Sequence, residues 1–100
     1  MNYIQVIFEN TNKYRIINES GDVISFGANY TLEKFENDEW VNVLGEDHPC
    51  ILILYHLEPR SSEVYPIDME LESGLYRLGK YIGVPEREEA IFINGNIYIK

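Results

Sequence analysis

The sequence predicts an all-β fold, an antiparallel sandwich of short strands. Three observations carry this. Apolar residues fall in short clusters separated by turn residues every eight to twelve positions, the spacing of a sandwich or barrel. Aromatics are abundant, with 8 Tyr, 4 Phe and 1 Trp in 100 residues, and such side chains fit pleated, half-buried surfaces. Helical composition is confined to Met69 to Ser73 and Glu86 to Ala90, both short.

The elements follow in order. Tyr3 to Phe8 reads as a strand with Ile4, Val6 and Phe8 on one face, because strand side chains alternate sides. Glu9-Asn10-Thr11-Asn12 is a polar turn, Tyr14 to Ile17 a short strand, and Glu19-Ser20-Gly21-Asp22 a tight turn before Val23 to Phe26. Tyr30 to Phe35 and Trp40 to Val43 flank the turn cluster Glu36-Asn37-Asp38-Glu39 and predict a hairpin. Gly45 to Pro49 is a loop. Ile51 to His56 is the most apolar run, which suggests a strand buried on both faces.

Val64 to Asp68 follows, with Pro66 marking an edge or a bulge. Met69 to Ser73 offers one helical turn. Gly74 leads into a strand over Leu75 to Ile82 that carries Arg77 and Lys80. Val84 to Glu89 is a charged loop, and Ala90 to Ile99 closes the chain. Within that last segment Asn94-Gly95 is a hairpin signal, because both residues tolerate positive φ. The competing reading is one long strand bulged at Gly95, and the residues leave both open. Seven to nine short strands in about 100 residues is the count of an immunoglobulin-like sandwich in a single domain over residues 1–100.

Charge and cysteine content exclude several classes. The net charge of −9 opposes direct binding to nucleic-acid phosphates and to anionic membranes. It permits a basic protein partner and favours solubility. One cysteine, Cys50, allows no internal disulfide. No run approaches 18 apolar residues, so no membrane span is expected. The N-terminus has no basic segment followed by a long apolar run, which reads as cytoplasmic. A chain trimmed of an export signal or envelope anchor would look the same.

No catalytic or metal site emerges, and no cofactor is implied. Cys50 has His48 two residues away and His56 six away. Six strand residues span about 20 Å, too far for a nucleophile and its base to touch. The spacing 48, 50, 56 matches no zinc signature, and the acidic loops lack a calcium-loop pattern. A buried, inert thiol explains Cys50 better than a nucleophile. Glu70 and Glu72 could be imagined as an acid–base pair, but turn solubility explains them. Arg77 and Lys80 suit ion pairing across the sheet, with a recognition role for the arginine as the functional reading. Trp40 suits the core. The remaining feature is a set of loop carboxylates, Glu36, Asp38, Glu39, Glu46, Asp47, Glu70 and Glu72, a candidate acidic interaction surface.

Four blocks then carry a family resemblance. They are Phe8-Glu9-Asn10-Thr11-Asn12; Phe26 to Lys34 with Trp40-Val41-Asn42-Val43; Leu57-Glu58-Pro59-Arg60-Ser61-Ser62-Glu63 with Tyr65 and Ile67-Asp68; and Leu71-Glu72-Ser73-Gly74-Leu75-Tyr76-Arg77 with Lys80. In this order they resemble the small bacterial immunoglobulin-like domains found in cell-envelope and other proteins of Gram-positive bacteria. Arg60 stands where that family has Gly in a Pro-Gly turn, and Asn94-Gly95 interrupts its single C-terminal strand. The resemblance implies an accessory module and no reaction. Independently, Gly74 two residues before Tyr76 suggests a tyrosine corner, in which the phenol hydrogen-bonds upstream backbone.

Two functional expectations follow. One is a non-enzymatic protein-interaction or structural module with a protein partner. The other is a small acidic inhibitor of a phage or mobile-element type, which would occupy the groove of a basic, nucleic-acid-handling protein.

Overall fold

The computed structural model describes residues 3–44, 54–67 and 69–100. These residues form nine strands in two packed sheets. The smaller sheet has the order β1-β2-β7, from β1 (Ile4–Asn10), β2 (Lys13–Asn18) and β7 (Ser61–Pro66). The larger has the order β5-β4-β8-β3-β6, with β9 on the other side of β8. Its strands are β3 (Ile24–Gly27), β4 (Thr31–Glu36), β5 (Glu39–Asn42), β6 (Leu54–Leu57), β8 (Gly74–Val84) and β9 (Glu89–Ile99). Every pairing is antiparallel. The expected sandwich is therefore present, and Pro66 ends an edge strand as its missing N–H requires.

The core lies between the sheets. Ile4 and Val6 of β1, Tyr14 and Ile16 of β2, and Ile24 and Phe26 of β3 are buried at alternating positions. On β8 the inward residues are Tyr76, Leu78, Lys80, Ile82 and Val84. Tyr65 joins the two sheets by ring contacts to Tyr14, Phe26 and Tyr55 at 5.3–5.7 Å. Burial pushes the Tyr65 phenol up to about 12, with the neighbouring Glu63 adding to the effect.

Three expectations need correction. Residues 91–99 form neither a hairpin nor a bulged strand. β9 pairs with β8 without a break, from Glu89 opposite Val84 to Ile99 opposite Gly74. Gly95 is there for closeness, not for a turn. A Cβ at that position would overlap the Val6 carbonyl oxygen of the opposite sheet, so β1 can approach β9 only over a glycine. The apolar run at 51–56 is not buried on both faces where it is described. β6 begins at Leu54 and is the outermost strand beside β3, leaving Leu54 and His56 exposed. Residues 51–53 and Asp68 lie outside the described residues. Lastly, residues 69–73 form no helical turn; the helical element present is the 3-10 turn Pro85–Arg87.

Lys80 is the least expected core residue, at 1% exposure. Among the described residues it forms none of the expected cross-sheet ion pairs. Its register explains it. Ser25 of β3 faces Gly83, and Thr31 of β4 faces Gly79. Six residues advance on one chain while four advance on the other, so the segment between β3 and β4 carries two extra residues. It leaves the ladder, and its carbonyls lose strand partners. Lys80 sits opposite that gap. Its Nζ donates to Gly27 O and Asn29 O, both at 2.6 Å, and to the Tyr14 hydroxyl at 3.2 Å. The rings of Tyr14 and Phe26 each lie 5.5 Å from the ammonium, and their faces attract a cation. Burial still lowers the Lys80 pKa from 10.5 to about 8.

Two tests follow. Gly95→Ala is expected to cost at least about 2 kcal/mol in chemical denaturation, because β1 must move to admit the methyl. A midpoint within error of the parent would refute the close packing of β1 on β9. For Lys80, the folded pKa lies below the unfolded one. Between pH 8 and 10.5 the unfolded chain holds a proton that the folded chain has released, so stability rises with pH across that window. The full rise is of the order of 3 kcal/mol. Urea midpoints should climb between about pH 7.5 and 9.5 in the parent and stay level in Lys80→Met. Equal slopes in both proteins would contradict this assignment.

Candidate functional site

The outer face of the larger sheet is built by the residues of β8 that alternate with its core positions: Leu75, Arg77, Gly79 and Tyr81. Arg77 faces Glu33 of β4 in register, and its Nε donates to Glu33 Oε1 at 2.7 Å. The expected ion pair across the sheet is therefore formed. The same guanidinium lies over the Trp40 ring, 4.3 Å from its centroid. Phe35, paired with Trp40, meets it edge-on at 5.2 Å. Trp40 is thus not a core residue. It is half-buried on the outer face of the β4–β5 hairpin, because it shares a side with its partner Phe35 and not with Leu32. The Arg77 side chain shelters it.

Farther along this face, Gly79 lets the Phe92 ring lie across the backbone of β8. Tyr81 packs on Phe92 at 4.7 Å between centroids. Tyr81 and Tyr98 are 69% and 68% exposed, so this is an aromatic surface open to solvent.

The acidic candidates gather at one end of the sheet. In the β4–β5 turn Asn37 and Asp38 have φ of 51° and 65°, the two left-handed positions of a tight hairpin turn that Asn and Asp tolerate. Lys34 pairs with Tyr76, so β4 runs on toward the start of β8. Glu36, Asp38 and Glu39 therefore lie near the 69–73 segment that carries Glu70 and Glu72. Lys34 links the two groups. Its Nζ is 3.3 Å from Glu36 Oε1 and 4.0 Å from Glu72 Oε2. The Glu36 hydrogen bond, with the nearby negative charges, raises the Lys34 pKa.

Gly74, with φ of 146°, makes room for this arrangement, since a Cβ there would stand 2.6 Å from Lys34 Cε. Glu46 and Asp47 lie outside the described residues. The structure thus brings Glu36 and Glu72 together through Lys34, places Asp38 and Glu39 at the adjoining hairpin tip, and leaves Glu70 exposed.

Nothing catalytic assembles among the described residues. His48 and Cys50 fall outside them. His56 is exposed on β6 opposite Ser25. No group of three or more His, Cys, Asp or Glu among the described residues could hold a metal ion. No described helix is long and apolar enough to cross a membrane.

Two polar residues escaped the sequence reading. Lys80 is one. Asn18 is the other, fully buried, with its amide donating to the carbonyls of Asp22, Leu57 and Glu58 at 2.9–3.2 Å. Its side-chain oxygen accepts from the Ser20 backbone and hydroxyl. It ties two loops to the end of β2. A strand-ending Asn before Glu19-Ser20-Gly21-Asp22 is a turn signal, but its distant partners are not legible.

The corner expected at Tyr76 is not formed among the described residues. Tyr76 is a buried core residue, and its polar contact is Lys34 Nζ, 5.9 Å from the ring centroid. Tyr76→Phe should then leave stability within about 0.5 kcal/mol of the parent, against about 1 kcal/mol for loss of a corner hydrogen bond. Thermal and urea unfolding of the variant decide between these values.

Compared with known families, residues 1–92 match the model of the bacterial Ig-like domain. No curated protein matches the chain, and no solved structure does. An all-β fold of this kind is typical of non-catalytic interaction and structural modules and is not associated with catalysis. The match covers nearly the whole chain, and two packed antiparallel sheets accompany it, so the chain belongs to the bacterial Ig-like domain family.

Proposed function

We propose that the chain is a non-enzymatic protein-interaction module that meets a basic protein surface at the acidic end of its larger sheet. The observation that carries this reading is the gathering of Glu36, Asp38, Glu39 and Glu72 beside the Phe35–Trp40–Arg77 stack. Carboxylates alone would serve solubility. Carboxylates beside half-exposed aromatics and a stacked Arg provide both steering charge and contact area, and Trp and Arg are enriched where binding energy concentrates. Arg77 is held in place by Glu33 and Trp40, so little side-chain freedom is lost on binding. The net charge of −9 extends the same preference to long range.

The test is capture of the partner from the native host, followed by binding measurements on the purified pair. Affinity should fall steeply between about 50 and about 500 mM salt, on either side of the ~10 Å screening length at 0.1 M. Asp38→Asn with Glu39→Gln and Glu72→Gln should slow association about tenfold while leaving the unfolding midpoint nearly unchanged. Binding that ignores both salt and these substitutions would place the partner elsewhere on the domain.

A further inference from the structure

The outer face of β8 and β9 differs in character from the acidic end of the same sheet. Register sets the cross-strand neighbours on it: Tyr81 with Phe92, Gly79 with Asn94, Arg77 with Asn96, and Leu75 with Tyr98. Rings therefore stand at both ends of this strip, and amides lie between them. Phe92 and Tyr98 are six residues apart, about 20 Å at 3.3 Å per residue. Tyr81, Phe92 and Tyr98 are all exposed, and exposed apolar surface rimmed by polar groups marks a binding site. The middle of the strip is low, because Gly79 has no side chain and the Phe92 ring lies in the space a Cβ there would fill. The strip is also neutral. Its one charged residue, Arg77, is paired at 2.7 Å with Glu33 of β4. The Asn94 and Asn96 side chains are exposed, and among the described residues their amides have no hydrogen-bond partner.

We propose that this strip binds an uncharged, extended glycan of the β-1,4-linked type, laid along β8 and β9 from the Tyr81–Phe92 pair to Tyr98. The C–H faces of its sugar rings rest on the aromatic rings, whose own faces carry negative potential. Tyr gives such contact area at low cost in side-chain freedom. Between the rings, sugar hydroxyls meet the Asn94 and Asn96 amides. Each amide both donates and accepts, and so does a hydroxyl. Charge selects this occupant over others. An anionic polymer is repelled by a chain of net charge −9. A basic segment meets on this strip only a carboxylate already held by Arg77. An apolar protein face would strip water from both amides and offer them no partner, which is costly. A neutral polyhydroxyl chain satisfies rings and amides together. Shape agrees, because a β-1,4-linked chain is a straight ribbon and the strip is straight over its length. The strip uses none of the carboxylates of the hairpin end, so the inference stands apart from the basic-partner reading.

Titration calorimetry of the full chain with cellohexaose and with chitohexaose tests this. At least one should bind with a dissociation constant of about 1 mM or tighter, and the affinity should be the same at low and high salt, because no charge is exchanged. Tyr81→Ala and Tyr98→Ala should each weaken binding about tenfold, the loss of one ring contact, while Tyr98→Phe keeps most of the affinity. Asn94→Ala with Asn96→Ala should weaken it by a similar factor. All four side chains are exposed, so folding is not at stake, and circular dichroism checks this. Asp38→Asn with Glu39→Gln and Glu72→Gln should bind the glycan as the parent does, which separates this site from the acidic end. Binding of both glycans weaker than about 1 mM overturns the proposal. So does glycan binding that Tyr81→Ala and Tyr98→Ala leave intact, or a protein partner or second copy that covers Tyr98 in the glycan's place.

Discussion

A buried ammonium holds the larger sheet to its shape. β8 gives one edge to β9 along its whole length. Its other edge serves two strands in succession, β4 and then β3. These strands also have different outer neighbours, β5 for one and β6 for the other. The chain between them must therefore step out of the ladder, and a step leaves carbonyls without donors. Buried backbone acceptors must be paired or they destabilise the fold. A hydroxyl has one hydrogen to donate and a side-chain amide two. Lys80 donates three hydrogens from a single point, to Gly27 O, Asn29 O and Tyr14 Oη. The opposing term is desolvation, which brings its pKa down to about 8. At neutral pH the ammonium form still dominates, so the three-donor geometry is the one the fold uses.

That step has consequences for the surface. By changing the partner of β8 it sets β4 and β5 apart from β3 and β6, and sends the β4–β5 hairpin toward the end where β8 begins. The turn carboxylates then arrive beside Glu72, with Lys34 between them. The hairpin also carries Phe35 and Trp40 to the outer face, where Arg77 covers the indole. Core polarity and surface recognition are thus linked through one interruption in one ladder.

Strand positions were legible because alternation is local. Ile4 and Val6, or Leu75 against Tyr76, declare their sides without reference to anything distant. The Asn37-Asp38 turn was legible for the same reason: two residues that tolerate positive φ stand between two strand patterns. What escaped depends on partners far along the chain. Asn94-Gly95 has the local chemistry of a turn, yet Gly95 answers to the Val6 carbonyl of the other sheet. Trp40 has the hydrophobicity of a core residue, yet its side is dictated by pairing with Phe35. Lys80 has the charge of a surface residue, yet the two-residue offset between β3 and β4 places an acceptor pair in front of it. Of the acidic candidates, residue type was readable and convergence was not, because only the register of β4 on β8 brings Glu36 toward Glu72.

Where charge is absent matters as much as where it gathers. The carboxylates of the larger sheet crowd the hairpin end, and the segment Glu86 to Glu89 crowds the opposite end beside Asp22 and its partner Arg87. Between these ends β9 is neutral for ten residues. An acidic domain repels its own copies at most orientations. The core charge at Lys80 takes no part in this, because it is enclosed between the sheets. The domain separates its electrostatic tasks by depth: one cation inside to complete the backbone, and a patterned anion surface outside to choose neighbours.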